Sequence, residues 1–262
     1  MCTRKREYSP IDALLFAGFI AFSSTLYIQL ASPGYTDIVF YYFNFLAFVL
    51  IRRRFYSALF YCLALLTHES SLFLLPALIL YSRYINKQGG LMLLKYCIYL
   101  LIAIIPLLAY RYWVAMNTVV EYDLAFYFSK KNIIFCLGKV LPLAPAGAFY
   151  AFKLFWFFPV YILYRSWIKN DKRFFLVIVS ILICDFAQLI IAFDITRMLC
   201  LGFPAIVLAA EKLKEDWEPE KFTRYALGLT LANFIILQCF MSADSLHPLL
   251  PLPYTWLTGL FG

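Results

Sequence analysis

The sequence predicts an all-α fold, a polytopic bundle of transmembrane helices with about eight or nine membrane segments. Three observations carry this prediction. Hydrophobic residues make up 64% of the 262 residues, and charged residues make up only 15%. Apolar runs recur along the whole chain, and lysines and arginines form short clusters between them. Because no polar block is large enough for a separate soluble domain, we expect residues 1–262 to form one membrane domain.

The apolar runs give the expected helices in chain order, because about 20 apolar residues cross the hydrocarbon of a bilayer. They lie at residues 11–31, 38–51, 55–81, 91–113, 148–164, 174–193, 198–210 and 225–243. The first run follows the basic residues 4–6, but it is too long for a signal peptide and no small-residue cleavage site follows it, so we expect an uncleaved span. The stretch 133–147 contains Lys139, Pro142 and Pro145, and we expect it to be too broken to span.

The run 55–81 decides the topology, because it can cross the membrane once or enter and leave from the same face. As a re-entrant hairpin with His68 and Glu69 near its tip, it puts most of the 23 lysines and arginines on one face. The clusters concerned are Arg4 to Arg6, Arg52 to Arg54, Arg83 with Lys87, Arg165 with Lys169, Lys172 and Arg173, and Lys212 with Lys214, Lys221 and Arg224. A single crossing places the later clusters on the opposite face. The positive-inside rule therefore predicts the hairpin, with the N-terminus in the cytoplasm.

The sequence also argues against several functional classes. The net charge of +8 does not indicate nucleic-acid binding, because the basic residues lie in short clusters between apolar runs. The seven cysteines lack a C-x-x-C spacing, so neither a disulfide framework nor a zinc site is indicated. His68 and Glu69 begin like a zinc-protease motif, but Leu72 stands where the second histidine would be. No metal-ligand set is predicted.

His68 and Glu69 are the first candidate site residues, because they place ionisable groups inside an apolar run. A glutamate in hydrocarbon costs several kcal/mol unless it is paired, protonated or facing a watery cavity. On a regular helix two adjacent side chains point about 100° apart, so the two can share a cavity only at a helix junction. The alternative is a structural polar pair that holds the hairpin tip.

Three further candidates lie on the face that the charge pattern predicts to be external. Asp37 follows Pro33 and Gly34 where the chain re-enters the membrane, so either Thr36 or Asp37 caps the next helix, or Asp37 has a catalytic or metal-binding role. Asp194 and Arg197 are three residues apart, a spacing that brings them together on one helical face. They form an ion pair at a turn, or Arg197 recognises phosphate, or Arg197 does both.

Two lysines and one buried acid complete the candidates. Lys130 and Lys131 follow an aromatic stretch in the long external loop, which suits the membrane interface. They either bind a lipid-phosphate head group or serve as an interfacial anchor. Asp185 lies in the middle of an apolar run, where we expect it to pair with Lys95, Lys153 or another intramembrane cation.

Four motifs, in this order, resemble those of bacterial GT-C-type membrane glycosyltransferases that form cell-surface glycopolymers. They are Tyr35-Thr36-Asp37 opening a span, Arg52-Arg53-Arg54, the run from Ala64 to Pro76 around His68-Glu69, and Asp194-Ile195-Thr196-Arg197 leading into Phe203-Pro204. The resemblance covers residues 32–82 and 190–210. It implies transfer of a sugar from a polyprenyl-phosphate carrier to a glycan, lipid or protein acceptor, at the external face of the cytoplasmic (inner) membrane.

The resemblance also implies roles for the candidate residues. Asp37 or Glu69 would deprotonate the acceptor hydroxyl, while Arg197, with Lys130 or Lys131, would stabilise charge on the departing lipid phosphate. The family's first external loop carries an acidic base or metal ligand, so a divalent cation is the open candidate for a cofactor. Asp37 matches a later acidic position of the family, which predicts a chain that lacks the opening helices or depends on a partner subunit.

Three other functions fit the same sequence. An O-antigen or exopolysaccharide polymerase would use a lipid-linked oligosaccharide as its donor. A non-enzymatic transporter or flippase subunit would use Glu69, Asp185 and Lys95 as an intramembrane ion relay. A membrane scaffold would need no chemistry at all.

Overall fold

The computed structural model describes residues 10–21, 23, 37–86, 90–118, 124–236, 238–242 and 245–249, and its fold is overwhelmingly helical. The α-helices are α1 Pro10–Ala21, α2 Asp37–Val49, α3 Arg54–Thr67, α4 Leu75–Asn86, α5 Gly90–Asn117, α6 Leu124–Tyr127, α7 Lys130–Phe135, α8 Ala144–Phe152, α9 Phe157–Ile168, α10 Lys172–Ala187, α11 Ile195–Leu199, α12 Phe203–Asp216 and α13 Pro219–Ile235. The strands are β1 Gln238–Ser242 and β2 Ser245–Leu249. The predicted helical class is therefore confirmed for nearly all of the described chain.

Three described helical segments are long and apolar enough to cross a membrane: Gly90–Asn117, Lys130–Ile168 and Lys172–Ile190. Helices α2 and α3 are apolar but shorter. With a rise of 1.5 Å per residue, α5 is about 42 Å long, which exceeds the hydrocarbon thickness of a bilayer. Leu101, Ile105 and Leu108 of α5 are each more than half exposed. An exposed apolar face of this length suits contact with lipid.

The expectation that 133–147 is too broken to span was wrong, because this stretch is helical throughout. A π-helical turn, Cys136–Val140, and a 3-10 turn, Leu141–Leu143, join α7 to α8. Pro142 and Pro145 each lie at the start of a helical segment, where a missing N–H costs little. The chain therefore continues as the single candidate span Lys130–Ile168.

The last predicted run, 225–243, is also not one helix. Helix α13 ends at Ile235, and the chain continues as an antiparallel hairpin in which Gln238 faces Leu249 and Ser242 faces Ser245. The Lys153 ammonium group stabilises this helix end by donating to the carbonyl oxygens of Asn233, at 3.1 Å, and Ile236, at 2.7 Å. Lys153 thus serves as a C-terminal cap, and the predicted pairing of Lys153 with Asp185 was wrong.

The predicted hairpin at 55–81 is present as helices α3 and α4. His68 has an extended backbone (φ −159°, ψ 126°) that ends α3, and a 3-10 turn, Glu69–Leu74, leads into α4. At the start of α3, the Arg54 guanidinium lies 3.3 Å from the sulfur of Met92, near the start of α5. At the end of α3, Glu69 pairs with Arg111, near the end of α5. Helices α3 and α5 therefore run side by side in the same direction.

Helix α4 returns to the end at which α3 begins. Ser82, Arg83 and Asn86 from its last turn line a common crevice with Arg54 and Met92. The charged tip at Glu69 and the basic clusters at Arg52 to Arg54 and at Arg83 therefore lie at opposite ends of this helix pair. The chain leaves and returns to the same end, as the charge pattern predicted.

The other helices extend this arrangement of two ends. Tyr84 of α4 packs on Phe174 of α10, with 5.2 Å between the ring centroids. Asp216, at the end of α12, pairs with Arg165 at 2.9 Å and with Lys169 at 3.3 Å. We call this end, where α4, α9 and α12 finish and α3 and α10 start, the basic end. Of its predicted clusters, residues 4–6 and Lys87 lie outside the described residues.

The opposite end, which we call the site end, is held by a close contact between α8 and α11. Gly147 of α8 lies against Ile195, the first residue of α11, so closely that an added Cβ would overlap the Ile195 side chain. Strand β1 also contacts α11, because the backbone N–H of Met241 donates to the Thr196 hydroxyl at 3.0 Å. These contacts fix the short helix that carries Arg197.

Candidate functional site

A cavity of about 380 Å³ opens at the site end. Its walls are mostly apolar, with Leu72, Phe73, Phe128, Ile191, Phe193 and Met198 among them, and its polar lining includes His68, Glu69, Gln188, Asp194 and Arg197. The lining comes from the turn between α3 and α4, from the end of α6, from the segment that joins α10 to α11, and from α11. Four of the seven predicted site residues therefore share one cavity, although they are far apart in the sequence.

Arg197 is held between two carboxylates. Its Nε pairs with Asp37, and its Nη1 lies 2.8 Å from the Asp194 carboxylate. The predicted ion pair between Asp194 and Arg197 is thus confirmed. The hydroxyl of Tyr41 donates to the backbone carbonyl of Arg197 at 2.6 Å, which adds a contact from α2. Two carboxylates fix the guanidinium and Tyr41 fixes the backbone that carries it, so its orientation toward the cavity is set before any ligand arrives.

Asp37 opens α2, and its side chain is only 2% exposed. It lies behind Arg197 and does not line the cavity. A buried carboxylate at the first turn of a helix is stabilised by the positive end of the helix dipole as well as by its ion pair. The position of Asp37 suits holding Arg197 in place rather than contact with an acceptor. The capping role considered for Thr36 lies outside the described residues.

Glu69 pairs with Arg111, and about a third of each side chain is exposed. His68 and Glu69 both line the cavity, because the extended backbone at His68 turns the two side chains to one side. The His68 Nδ1 accepts a hydrogen bond from the Ser70 N–H at 3.2 Å. A neutral His68 therefore carries its proton on Nε2 and serves as a donor, which leaves Glu69 as the better proton acceptor of the two.

Tyr127 brings α6 to the same cavity, and Asn132 of α7 holds its backbone in place. The Asn132 side-chain amide donates to the backbone oxygen of Tyr127 at 2.8 Å and of Ile191 at 3.1 Å. Burial raises the pKa of the Tyr127 hydroxyl, and the carboxylate of Glu69 raises it further. Tyr127 therefore stays neutral and can donate a hydrogen bond to a ligand.

Lys130 and Lys131 are not part of this cavity. They lie exposed in the first turn of α7, where the Ser129 hydroxyl caps the helix by accepting from the Asn132 N–H at 3.2 Å. Neither lysine is among the residues that line the cavity. Their exposed position beside the site end fits the interfacial anchor considered from the sequence. Binding of a lipid-phosphate head group by these two lysines stays a prediction.

Sequence reasoning missed several polar residues of the site, among them Arg111 and Gln188. Arg111 gave a signal, because it is a charged residue in an apolar helix of 28 residues, but spacing could not identify Glu69 as its partner. Gln188 gave none, because a single amide near the end of an apolar run is unremarkable. Its amide nitrogen donates to Asp185 at 3.2 Å, so the predicted pairing of Asp185 with a cation was wrong. Lys95 is exposed on α5.

A divalent cation does not fit this arrangement of residues. Asp37 and Asp194 are two carboxylates of the site that share one partner, the Arg197 guanidinium. Its positive charge occupies the place that a metal ion would take. Among the residues that the structure describes, no three His, Cys, Asp or Glu side chains are grouped as metal ligands.

Comparison with known proteins returned no matching family model, no matching curated protein and no matching solved structure.

Proposed function

We propose that this protein is a multi-pass membrane glycosyltransferase. It would transfer a sugar from a polyprenyl-phosphate-linked donor to a glycan, lipid or protein acceptor. One observation carries the proposal: a mostly apolar cavity at one end of an apolar helix bundle combines a partly exposed carboxylate, Glu69, with a fixed guanidinium, Arg197. A carboxylate and a guanidinium in one cavity are what proton removal and phosphate departure require.

The orientation that we propose in the membrane rests on the charge of the two ends. The basic end collects arginines and lysines from α3, α4, α9, α10 and α12, so the positive-inside rule places it in the cytoplasm. The site end then faces outward, at the external face of the cytoplasmic membrane. The three long helices and the shorter apolar ones would together make about eight or nine membrane segments.

The donor would bind with its two chemically different parts in different places. Phe73, Phe128 and Ile191 offer an apolar wall for the isoprenoid chain. The phosphate would bind Arg197, because a guanidinium matches two phosphate oxygens and keeps its charge near lipid. To do so it would replace Asp194 at Nη1, since Asp194 is the more exposed of the two carboxylates on Arg197.

The transfer step would use Glu69 as general base. The carboxylate takes the proton of the acceptor hydroxyl while that oxygen attacks the anomeric carbon of the sugar. The bond from the anomeric carbon to the phosphate oxygen breaks, and its electron pair leaves with the polyprenyl phosphate. Arg197 stabilises the charge that develops on this phosphate. Arg111 keeps Glu69 ionised and oriented between turnovers.

Reconstitution in liposomes with radiolabelled polyprenyl-phosphate sugars and mixed acceptors tests this function. We expect Glu69→Gln to lower transfer about 10²- to 10⁴-fold, the usual contribution of a general base. Glu220→Gln is the matched control, because Glu220 is an exposed glutamate at the basic end, where it pairs with Arg224 at 3.4 Å. Absence of transfer by the folded wild type with every donor and acceptor would contradict the proposal, as would equal activity of the two variants.

A further inference from the structure

A buried polar network lies behind the cavity wall between α10 and α11. The Gln188 amide nitrogen donates to Asp185 Oδ1 at 3.2 Å and to the backbone oxygen of Met198 at 2.8 Å. Gln188 is only 1% exposed and Asp185 is fully buried. Gln188 also lines the cavity that holds Glu69 and Arg197. Of the two polar side chains in this network, Gln188 is therefore the one that borders the cavity.

The orientation of the Gln188 amide is set by its two partners. The Met198 carbonyl can only accept, so the nitrogen, and not the oxygen, must face it. The oxygen Oε1 is then at the other side of the amide. It is buried and has no hydrogen-bond partner among the described residues. A buried acceptor without a donor is unfavourable, and native structures rarely leave one unless a ligand or water supplies the donor.

Asp185 fixes Gln188 from behind. Its carboxylate packs on Gly202, where an added Cβ would lie 2.5 Å from Asp185 Oδ2. The absence of a side chain at Gly202 therefore makes room for this carboxylate. Asp185 has a place in the fold that the sequence did not reveal, because it holds the amide that lines the cavity.

We propose that Gln188 Oε1 accepts a hydrogen bond from a hydroxyl group of the sugar that is transferred, with Asp185 as its positioning residue. This inference rests on the proposed function and narrows it, because it assigns the sugar to one part of the cavity. An isoprenoid chain has no donor to offer Oε1, and an ionised phosphodiester has only acceptors. Of the three parts of the donor lipid, the sugar alone supplies an O–H.

The test compares donors that lack one hydroxyl each. Wild-type protein in liposomes is given the parent polyprenyl-phosphate sugar and its monodeoxy analogues, and kcat/KM is measured for each. We expect one analogue to lose about 10- to 100-fold, the effect of leaving a buried acceptor without its donor. Gln188→Met, which keeps the unbranched shape without the amide, should lose a similar factor on the parent donor and no longer distinguish it from that analogue.

Two further variants make the outcome decisive. Asn86→Leu removes an amide at the basic end, where it donates to Ser82 of its own helix, and should leave the discrimination unchanged. Asp185→Asn should raise KM for the parent donor and weaken the discrimination with little change in kcat. Should Gln188→Met fail to fold, the analogue series on wild type and Asp185→Asn still decides.

Two results would overturn the inference separately from the proposed function. An active wild type that uses every deoxy donor equally well would overturn the role of Gln188 and leave the transferase proposal intact. So would an active Gln188→Met that discriminates as the wild type does. A folded wild type without transfer on any donor would overturn both.

Discussion

The two ends of the helix bundle contain the same kinds of ionisable residue in different surroundings. At the basic end, Arg224 and Glu220 are 81% and 85% exposed and lie one helical turn apart. At the site end, Arg197 is 12% exposed and Asp37 is 2% exposed, and they come from opposite halves of the chain. Exposed pairs contribute at most about 1 kcal/mol, whereas breaking a buried pair costs several kcal/mol.

The difference shows which end of the fold holds its charged side chains in defined positions. Arg224 and Glu220 need only charge on one side of a membrane, so a local pair of solvated side chains suffices there. Residues at the site end are oriented by partners that are distant in sequence, such as Tyr41 on the carbonyl of Arg197. Holding charged side chains in one orientation costs stability. Functional sites are where proteins need such preorganised side chains. This contrast favours the site end as the functional one.

Replacing Arg197 is the strongest way to test this contrast. Arg197→Met leaves Asp37 buried without its guanidinium, so we expect the free energy of unfolding to fall by about 3–5 kcal/mol. Arg224→Met, at the basic end, should change it by less than about 1 kcal/mol. Both values come from denaturation of the purified protein in detergent. Similar losses for the two variants would show that the ends do not differ as described.

The local parts of the site could be predicted from sequence, and the distant contacts could not. Asp194 and Arg197 are three residues apart on one helix, so their pairing follows from helical geometry. The hairpin followed from the charge pattern, and the shared cavity of His68 and Glu69 followed from the expected helix break. The partner of Asp37, by contrast, depends on how α2 packs against α11, which no local spacing encodes.

The prediction for the C-terminal region, residues 225–243, was wrong for a related reason. Its apolar composition predicted a helix to residue 243, but Lys153, far away in the chain, binds the last carbonyls of α13 and lets the helix stop at Ile235. Composition cannot reveal such a cap. The same holds for Gln188, whose position in the cavity depends on the turn between α10 and α11.

A smaller effect is expected from Asp194, the carboxylate that a phosphate would displace. Asp194→Asn removes one negative charge beside Arg197, so the KM for the phosphate-linked donor should fall about fivefold. This factor corresponds to about 1 kcal/mol for unit charges 4 Å apart in a water-like dielectric. Asp216→Asn at the basic end should leave KM unchanged. A higher KM for Asp194→Asn would show that Asp194 helps to bind the donor rather than competing with it.

The most direct test of the proposed orientation is to measure which side of the membrane each end faces. Lys130→Cys at the site end and Arg224→Cys at the basic end introduce thiols at exposed positions, in a background without the native cysteines. Intact cells are then treated with a membrane-impermeant maleimide. We expect position 130 to be labelled in intact cells and position 224 to be labelled only after lysis. Labelling of position 224 alone in intact cells, or of both positions, would contradict the proposed orientation.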